Sequence, residues 1–222
     1  MRWKIKIIFT IMTHKAKKSL CKSYGAEFYK KFKKKSRSFL DDILKDVPDI
    51  GKSIFSLNYN YGPCYFSWYK ALMEQDISKE EAIKIIWQIN EAYVKTIPKP
   101  VLHVFARNIY LGGFRKKAAE AEKKGKEGTL HPFDWRIEYK DIDKNTFAIN
   151  IYECAMLKLA DKFGFREMFP GICRMDYLFS YYFDNSFKRT STLGDGCSCC
   201  NCWYQYPGKC EWSPEKGFEN RK

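Results

Sequence analysis

The hydrophobic pattern of this chain changes its period near residue 129, and this change limits the folds open to it. Before that point apolar residues recur at helical spacing, most clearly at Ala82, Ile86 and Ile89. After it, apolar and polar residues alternate through 135–139 and 147–151, as in half-buried strands. Helices first and strands later predict an α+β fold, with N-terminal helices packed on a C-terminal antiparallel sheet.

The helical half carries recognisable start and stop signals. Ser78 and Glu81 form a capping box at the start of the periodic helix, which ends before Pro98. A turn is predicted at the Tyr-Gly-Pro sequence of 61–63. The other predicted helices cover 36–45, 64–75, 101–108 and 114–125.

The later half is predicted to supply the sheet. The two alternating segments form a hairpin, and a short helix over 156–163 follows and stops at Gly164. The aromatic stretch 177–187 favours β structure, and two further strands are predicted at 188–193 and 199–204. A polar, frayed tail is predicted from Pro207 onward.

These elements predict a single α+β domain over 36–206. Its helical half is 36–128 and its sheet half is 129–206. Residues 1–35 are interpreted as a basic lead-in with helical character, and 207–222 as a polar tail.

The net charge of +14 allows two interpretations. One is a nucleic-acid or anionic-membrane partner, and the other is a Lys-rich solvated surface. Lys outnumbers Arg, whereas phosphate and base recognition favours the Arg fork, and no helix-turn-helix or RNA-recognition signature is present. We therefore expect no nucleic-acid and no membrane partner, while the oligomeric state stays open.

Cysteine usage predicts the compartment. Nine cysteines, an odd number, and no secretory signal pattern argue against a disulfide framework. The expected location is a reducing cytoplasm with free thiols.

Reactive side chains concentrate between residues 173 and 204. Cys173 and Asp176 are three apart and can share a helix face, as an acid–base pair or as metal ligands. A nearby Asp raises a thiol pKa unless a cation compensates, and either Arg174 or Arg189 could supply that cation. Cys154 lies where a strand passes into a helix, so the helix dipole is expected to lower its pKa, and a small buried thiol is the alternative.

A metal site is the competing interpretation of the cysteine cluster, which consists of Cys197, Cys199, Cys200 and Cys202. A structural zinc site pairs one Cys-x-x-Cys with a second, distant pair, and no such spacing is present. On a strand Cys200 and Cys202 face one side and Cys199 the other, so they cannot all bind one ion. We expect no cofactor and no resident metal, with a divalent metal left open.

The C-terminal third carries an ordered series of motifs: FAINIYEC (147–154), GICRMD (171–176), RTSTL (189–193), a Gly at 196 and CNCWY (200–204). With these motifs it resembles the L-2-amino-thiazoline-4-carboxylic acid hydrolase family. With GPCYF (62–66) and FDWRIEY (133–139), the resemblance extends over roughly residues 60–205. Two positions depart from the family pattern, because Asn201 stands where Asp is usual and Cys202 where an aromatic residue is usual.

The resemblance implies a hydrolase that opens a cyclic amidine, such as 2-aminothiazoline-4-carboxylate, and therefore a small-molecule substrate. It implies Cys173 or Cys154 as nucleophile, Asp176 as acid/base and Arg189 as a clamp for the substrate carboxylate. Three further residues are implied to line the substrate pocket: Thr192, Cys200 and Asn201. The alternatives are a small-molecule sensor domain of the 4-vinyl-reductase type, which acts beside a signalling domain not seen in this sequence, and a cysteine-cluster metal-binding protein.

Overall fold

The computed structural model describes residues 2–212, and in that range helices precede a four-stranded sheet. The α-helices are α1 (Arg2–Lys15), α2 (Lys17–Tyr24), α3 (Ala26–Asp46), α4 (Ser56–Met73), α5 (Lys79–Val94), α6 (Lys99–Asn108), α7 (Phe114–Lys126), α8 (Ala155–Phe163), α9 (Phe169–Cys173) and α10 (Met175–Tyr182). The strands are β1 (Arg136–Asp141), β2 (Thr146–Glu153), β3 (Ser186–Lys188) and β4 (Cys200–Gln205). A π-helical turn spans Ile109–Gly113, and 3-10 turns span Arg166–Met168 and Leu193–Asp195. The predicted α+β class is confirmed.

The sheet is antiparallel throughout, with strand order β1-β2-β4-β3. In the central strand β4, Cys200, Cys202 and Tyr204 are buried, and the residues between them are less so. This period of two confirms that Cys200 and Cys202 face the same side. The inner face of β4 thereby points two thiols and a phenol toward the helices.

The basic N-terminal segment, expected as a lead-in, forms helices that join the core. α1 buries Ile5, Phe9 and Met12, and the Phe9 ring stacks 5.5 Å from the Trp68 ring of α4. The Trp68 indole donates a hydrogen bond to Thr13 Oγ1 at 3.0 Å. These contacts tie α1 to the centre of the helical layer.

The predicted turn at 61–63 is wrong, because these residues lie inside α4. A proline costs a helix a backbone hydrogen bond, so tertiary packing must offset the loss at Pro63. At Gly62 a Cβ atom would meet Met156 Sδ of α8 at 2.9 Å. The glycine thus permits the close approach of α4 and α8, and the Gly-Pro pair marks a packing contact.

Two other local signals are confirmed. The Ser78 hydroxyl accepts a hydrogen bond from the Glu81 backbone N–H, as the capping box requires. Gly164 ends α8 in the left-handed conformation, with φ of 74°. The hairpin β1–β2 also forms as predicted.

The aromatic stretch 177–187 is mostly helical, which corrects the β interpretation. α10 occupies most of it and buries Tyr177 and Leu178 among other residues, while β3 begins only at Ser186. The predicted strand 188–193 is also wrong, because β3 ends at Lys188 and a 3-10 turn follows. Burial of one face of α10 stabilises the helix more than the β propensity of Tyr and Phe favours a strand.

Residues 207–212 pack against the body of the protein, contrary to the frayed tail expected from Pro207. Gly208 donates its backbone N–H to the Asp184 carbonyl at 3.0 Å. Trp212 is buried, with its ring 5.3 Å from that of Trp87. The remainder of the expected tail lies outside the described residues.

Candidate functional site

Six of the seven predicted site residues meet where α8, the α9–α10 junction, the segment after β3 and strand β4 converge. We call this group the central crevice: Cys154, Cys173, Asp176, Arg189, Thr192 and Cys200. The Cys173 thiol hydrogen-bonds the Thr192 side chain and lies close enough to Arg189 to interact with its charge. Thr192 Oγ1 also accepts a hydrogen bond from Cys200 Sγ at 3.5 Å.

Asp176 and Arg189 form the charged centre of the crevice. Arg189 Nη1 donates to Asp176 Oδ2 at 2.8 Å, and Nη2 donates to the Cys173 carbonyl at 2.8 Å. The guanidinium lies 5.3 Å from the Phe187 ring centroid, within cation–π range. Its side chain is only 2% exposed, and Nε has no partner among the described residues. Arg189 is therefore held on several sides and in turn holds Asp176.

Asp176 lies in the first turn of α10, where the helix dipole favours a carboxylate. Burial raises the pKa of Asp176 above its ordinary value, and the charge and hydrogen bond of Arg189 offset part of that shift. Even so, 35% of the Asp176 side chain stays accessible. Asp176 is therefore strongly desolvated and still reachable from solvent.

The two candidate nucleophiles are neutral thiols at rest. Burial raises the pKa of Cys173 well above its ordinary value, and the charge of Arg189 only partly counters this. Burial raises the pKa of Cys154 to about 12, although the backbone N–H groups at the start of α8 act in the opposite direction. The expected lowering of the Cys154 pKa by the helix N-terminus is thus wrong, because desolvation outweighs the dipole.

The turn after Thr192 shapes the wall next to Cys173. Thr192 Oγ1 accepts the Gly194 backbone N–H at 3.1 Å, and Leu193 N donates to Cys200 Sγ at 3.2 Å. A Cβ atom at Gly194 would lie 2.6 Å from Cys173 Sγ. Glycine is therefore the residue that lets this turn close over the thiol.

Asn201, the seventh predicted residue, points to the other face of β4. Its Oδ1 accepts the backbone N–H groups of Thr190 and Ser191 at 2.9 and 2.8 Å. Its Nδ2 donates to Thr190 Oγ1 at 2.7 Å. The side chain holds the 190–191 loop against the sheet, and an Asp carboxylate could accept the same two backbone donors.

The sequence did not identify a group of tyrosines around Asp176. Tyr65, Tyr110 and Tyr204 are buried, and each lies close enough to Asp176 for the carboxylate to help raise its pKa, after the larger effect of burial. Tyr65 also donates to Asn90 Oδ1 at 3.0 Å. The sequence property that pointed to these tyrosines was the 17% aromatic content. It predicts that aromatic rings form pocket walls but does not identify which rings.

The cysteine cluster does not assemble around one point. Cys197 is exposed, whereas Cys200 and Cys202 are buried on the inner face of β4. Across residues 2–212 no three His, Cys, Asp or Glu side chains converge as a metal site would need. In the same range no helix has the length and apolar character to cross a bilayer.

Comparison with known proteins gives one result on the family. No curated protein is similar enough in sequence to count as a relative. The family model for L-2-amino-thiazoline-4-carboxylic acid hydrolase matches residues 58–204, about two thirds of the chain, and supports a hydrolase-like function. This match spans α4 to β4 and every residue of the central crevice. The chain therefore belongs to the L-2-amino-thiazoline-4-carboxylic acid hydrolase family.

Proposed function

We propose that this protein hydrolyses the cyclic amidine ring of a small amino-acid-derived heterocycle such as 2-aminothiazoline-4-carboxylate. Family membership supports the reaction class. One observation of geometry carries the proposal: a carboxylate, Asp176, is fixed through one oxygen by buried Arg189 and keeps part of its side chain accessible. A desolvated carboxylate with a raised pKa is a stronger base than one in water.

The first step is the addition of water to ring carbon C2, with Asp176 taking the proton that the water loses. The tetrahedral carbon then carries a hydroxyl, the exocyclic amino group, the ring nitrogen and the sulfur. If the C2–S bond breaks, the product is an N-carbamoyl cysteine with a free thiol; if the C2–N bond breaks, it is an S-carbamoyl cysteine with a free amine. Protonated Asp176 gives its proton to the departing heteroatom, and the C2 hydroxyl proton ends on the ring nitrogen as the carbonyl forms. One water is consumed, and no oxidant or reductant is required.

Water is favoured over a thiol as the nucleophile. Burial keeps Cys173 and Cys154 protonated near neutral pH, so neither is a resting thiolate. In this proposal Cys173 and Thr192 lie on the side of the crevice where ring carbon C2 of the substrate binds. Cys200 lies behind Thr192. The covalent alternative needs Asp176 to remove the Cys173 proton once substrate has displaced water.

Arg189 acts in this proposal as a positioning residue. Both of its terminal nitrogens are already engaged, by Asp176 and by the Cys173 carbonyl. The Arg189 side chain is only 2% exposed, and its Nε is buried without a hydrogen-bond partner among the described residues, so the guanidinium offers little surface to a substrate carboxylate. We therefore assign Arg189 to orienting the base, in place of the carboxylate clamp implied by the family resemblance. We place the reaction in a reducing, cytoplasmic setting, and in residues 2–212 no cysteine forms a disulfide.

The test is turnover of L-2-amino-thiazoline-4-carboxylate by the reduced protein, followed by product mass and by new thiol. Asp176→Asn should lower kcat by about 10²–10⁴-fold, the usual worth of a general base. Cys173→Ala should lower turnover without abolishing it, and Cys197→Ala, at an exposed thiol, is the matched control. Complete loss in Cys173→Ala together with a trapped covalent adduct would move the nucleophile to Cys173. Unchanged turnover in Asp176→Asn would overturn the proposed site.

A further inference from the structure

Helix α1 carries an exposed apolar row in addition to its buried face. Trp3, Ile7 and Ile11 follow one another at helical spacing and are 62%, 49% and 42% exposed. Trp3 is the most exposed Trp side chain in the described range. A row of this kind on the outside of a packed helix is left without a partner in the folded chain.

The same part of the protein holds nearly all of its net charge. Residues 1–40 contain 13 Lys and Arg against one Glu, a net charge of +12, whereas the whole chain has a net charge of +14. The remaining 182 residues hold 27 Lys and Arg against 25 Asp and Glu and are close to neutral. The positive charge is therefore a local property of residues 1–40.

The charge and the apolar row form one continuous surface. A groove of about 690 Å³ between α1, α2 and α3 has Lys17, Lys33 and Lys34 in its walls, and none of these three has an acidic partner among the described residues. A smaller groove beside it includes Ile7 and Ile11. Both grooves share Thr10 and Arg37, which donates to Thr10 Oγ1 at 3.2 Å.

We propose that this surface, the basic apolar face of residues 3–37, docks the protein on a membrane that contains anionic phospholipids. Trp and aliphatic side chains enter the boundary between headgroups and acyl chains, while surrounding lysines contact lipid phosphates and carboxylates. Phosphates of a nucleic acid would attract the same lysines, but a polyanion offers nothing to cover the two isoleucines. The combination of apolar row and unpaired lysines therefore favours a lipid surface.

This inference departs from the expectation of no membrane partner and is independent of the proposed hydrolysis. The helix lies on the membrane and does not cross it, consistent with the absence of a spanning helix among residues 2–212. The family match starts at residue 58, so the basic apolar face belongs to a part of the chain that the family model does not cover.

Vesicle co-sedimentation of the full chain tests the proposal. The protein should bind vesicles of phosphatidylcholine with about 30% phosphatidylserine at least about ten-fold more tightly than pure phosphatidylcholine vesicles, and added salt should weaken binding. Ile7→Ser/Ile11→Ser and Lys33→Glu/Lys34→Glu should each weaken binding about ten-fold or more. Brominated lipids should quench fluorescence in the wild type, and this quenching should fall in Trp3→Phe.

Matched controls are available elsewhere on the surface. Lys116→Glu/Lys117→Glu makes the same charge change on exposed positions of α7, and Val104→Ser removes an exposed apolar side chain from α6. Both controls should bind vesicles like the wild type. An equal loss in Lys116→Glu/Lys117→Glu would overturn the proposal, since binding would then follow net charge alone. An equal loss in Val104→Ser would overturn it as well, since the apolar contact would then not be specific to α1.

Two other outcomes would also overturn it. One is tighter binding to a DNA duplex than to the anionic vesicles, with no effect of Ile7→Ser/Ile11→Ser. The other is a dimer in light scattering that the double serine variant dissociates, with no vesicle binding in either protein.

Discussion

Gly194→Ala tests whether the position of the Cys173 thiol matters for the reaction. The added methyl carbon would lie 2.6 Å from Cys173 Sγ and 3.5 Å from Cys173 Cβ. Ordinary contact between such atoms is roughly 3.5–4.0 Å, so the thiol has to move by about 1 Å. The backbone of Gly194 does not require glycine, because its φ is not in the left-handed region. The conflict is therefore with the sulfur and not with the main chain.

The expected cost in stability is modest and the expected cost in activity is large. Overpacking costs about 1–3 kcal/mol, and replacing Gly by Ala returns about 0.4–1 kcal/mol through the unfolded chain. A net loss of about 0–2.5 kcal/mol lowers Tm by about 2–4 °C per kcal/mol for a chain of this size. A displacement of about 1 Å in the crevice wall can cost about 10²-fold in kcat.

The assay compares Tm and kcat for Gly194→Ala, Cys173→Ala and the double variant. The double variant should regain the stability lost in Gly194→Ala, because the sulfur that the methyl group meets is gone. Gly113→Ala is the matched control, since Gly113 has φ of −59° and nothing within 4 Å of its built Cβ. Wild-type kcat in Gly194→Ala, with an unchanged Tm, would refute the close contact between this turn and the thiol.

Three variants or probes test the candidate site and the residues around it. Asn201→Asp should leave kcat/KM close to that of the wild type, because either side chain can accept both backbone N–H groups of the loop, and a large change would give Asn201 a direct role. Arg189→Met should lower the free energy of unfolding in urea by about 1–3 kcal/mol, less than for a fully buried pair, because Asp176 loses its cation but stays 35% accessible to solvent. Adding Asp176→Asn should recover part of that loss, and strictly additive losses would contradict the pairing. Iodoacetamide near neutral pH should modify exposed Cys197 well before Cys154, whose pKa is raised to about 12 by burial. Modification of Cys154 should accelerate about ten-fold per pH unit below that pKa, and peptide masses that show equal rates at neutral pH would contradict its burial.

Local signals in the sequence were sufficient for elements whose cause is local. The capping box at Ser78, the stop at Gly164 and the β1–β2 hairpin depend on a few adjacent residues, and each formed as predicted. The order of helices and strands follows from hydrophobic period, so the fold class was predictable as well.

Predictions from local sequence patterns were wrong where contacts with distant residues determine the local conformation. Gly62 and Pro63 favour a turn, but the packing of α4 against α8 keeps them helical. The aromatic residues of 177–187 favour strands, but burial of one face made α10. At 177–187 the free energy of packing exceeds the roughly 1 kcal/mol range of β propensity. At Pro63 it exceeds the cost of one missing helix hydrogen bond.

The residues of the candidate site were predicted from the ordered motifs, and the fold brings four of them together: Cys154, Cys173, Asp176 and Arg189. The protonation chemistry of these residues could not be predicted from the sequence, because a pKa depends on solvent access and on neighbouring charges. Only the tertiary structure puts Arg189 on the Asp176 carboxylate, desolvates both thiols so that their pKa values rise, and turns Asn201 to the opposite face of β4. Sequence specifies which groups are present along the chain, whereas desolvation and pairing in three dimensions specify what each group can do.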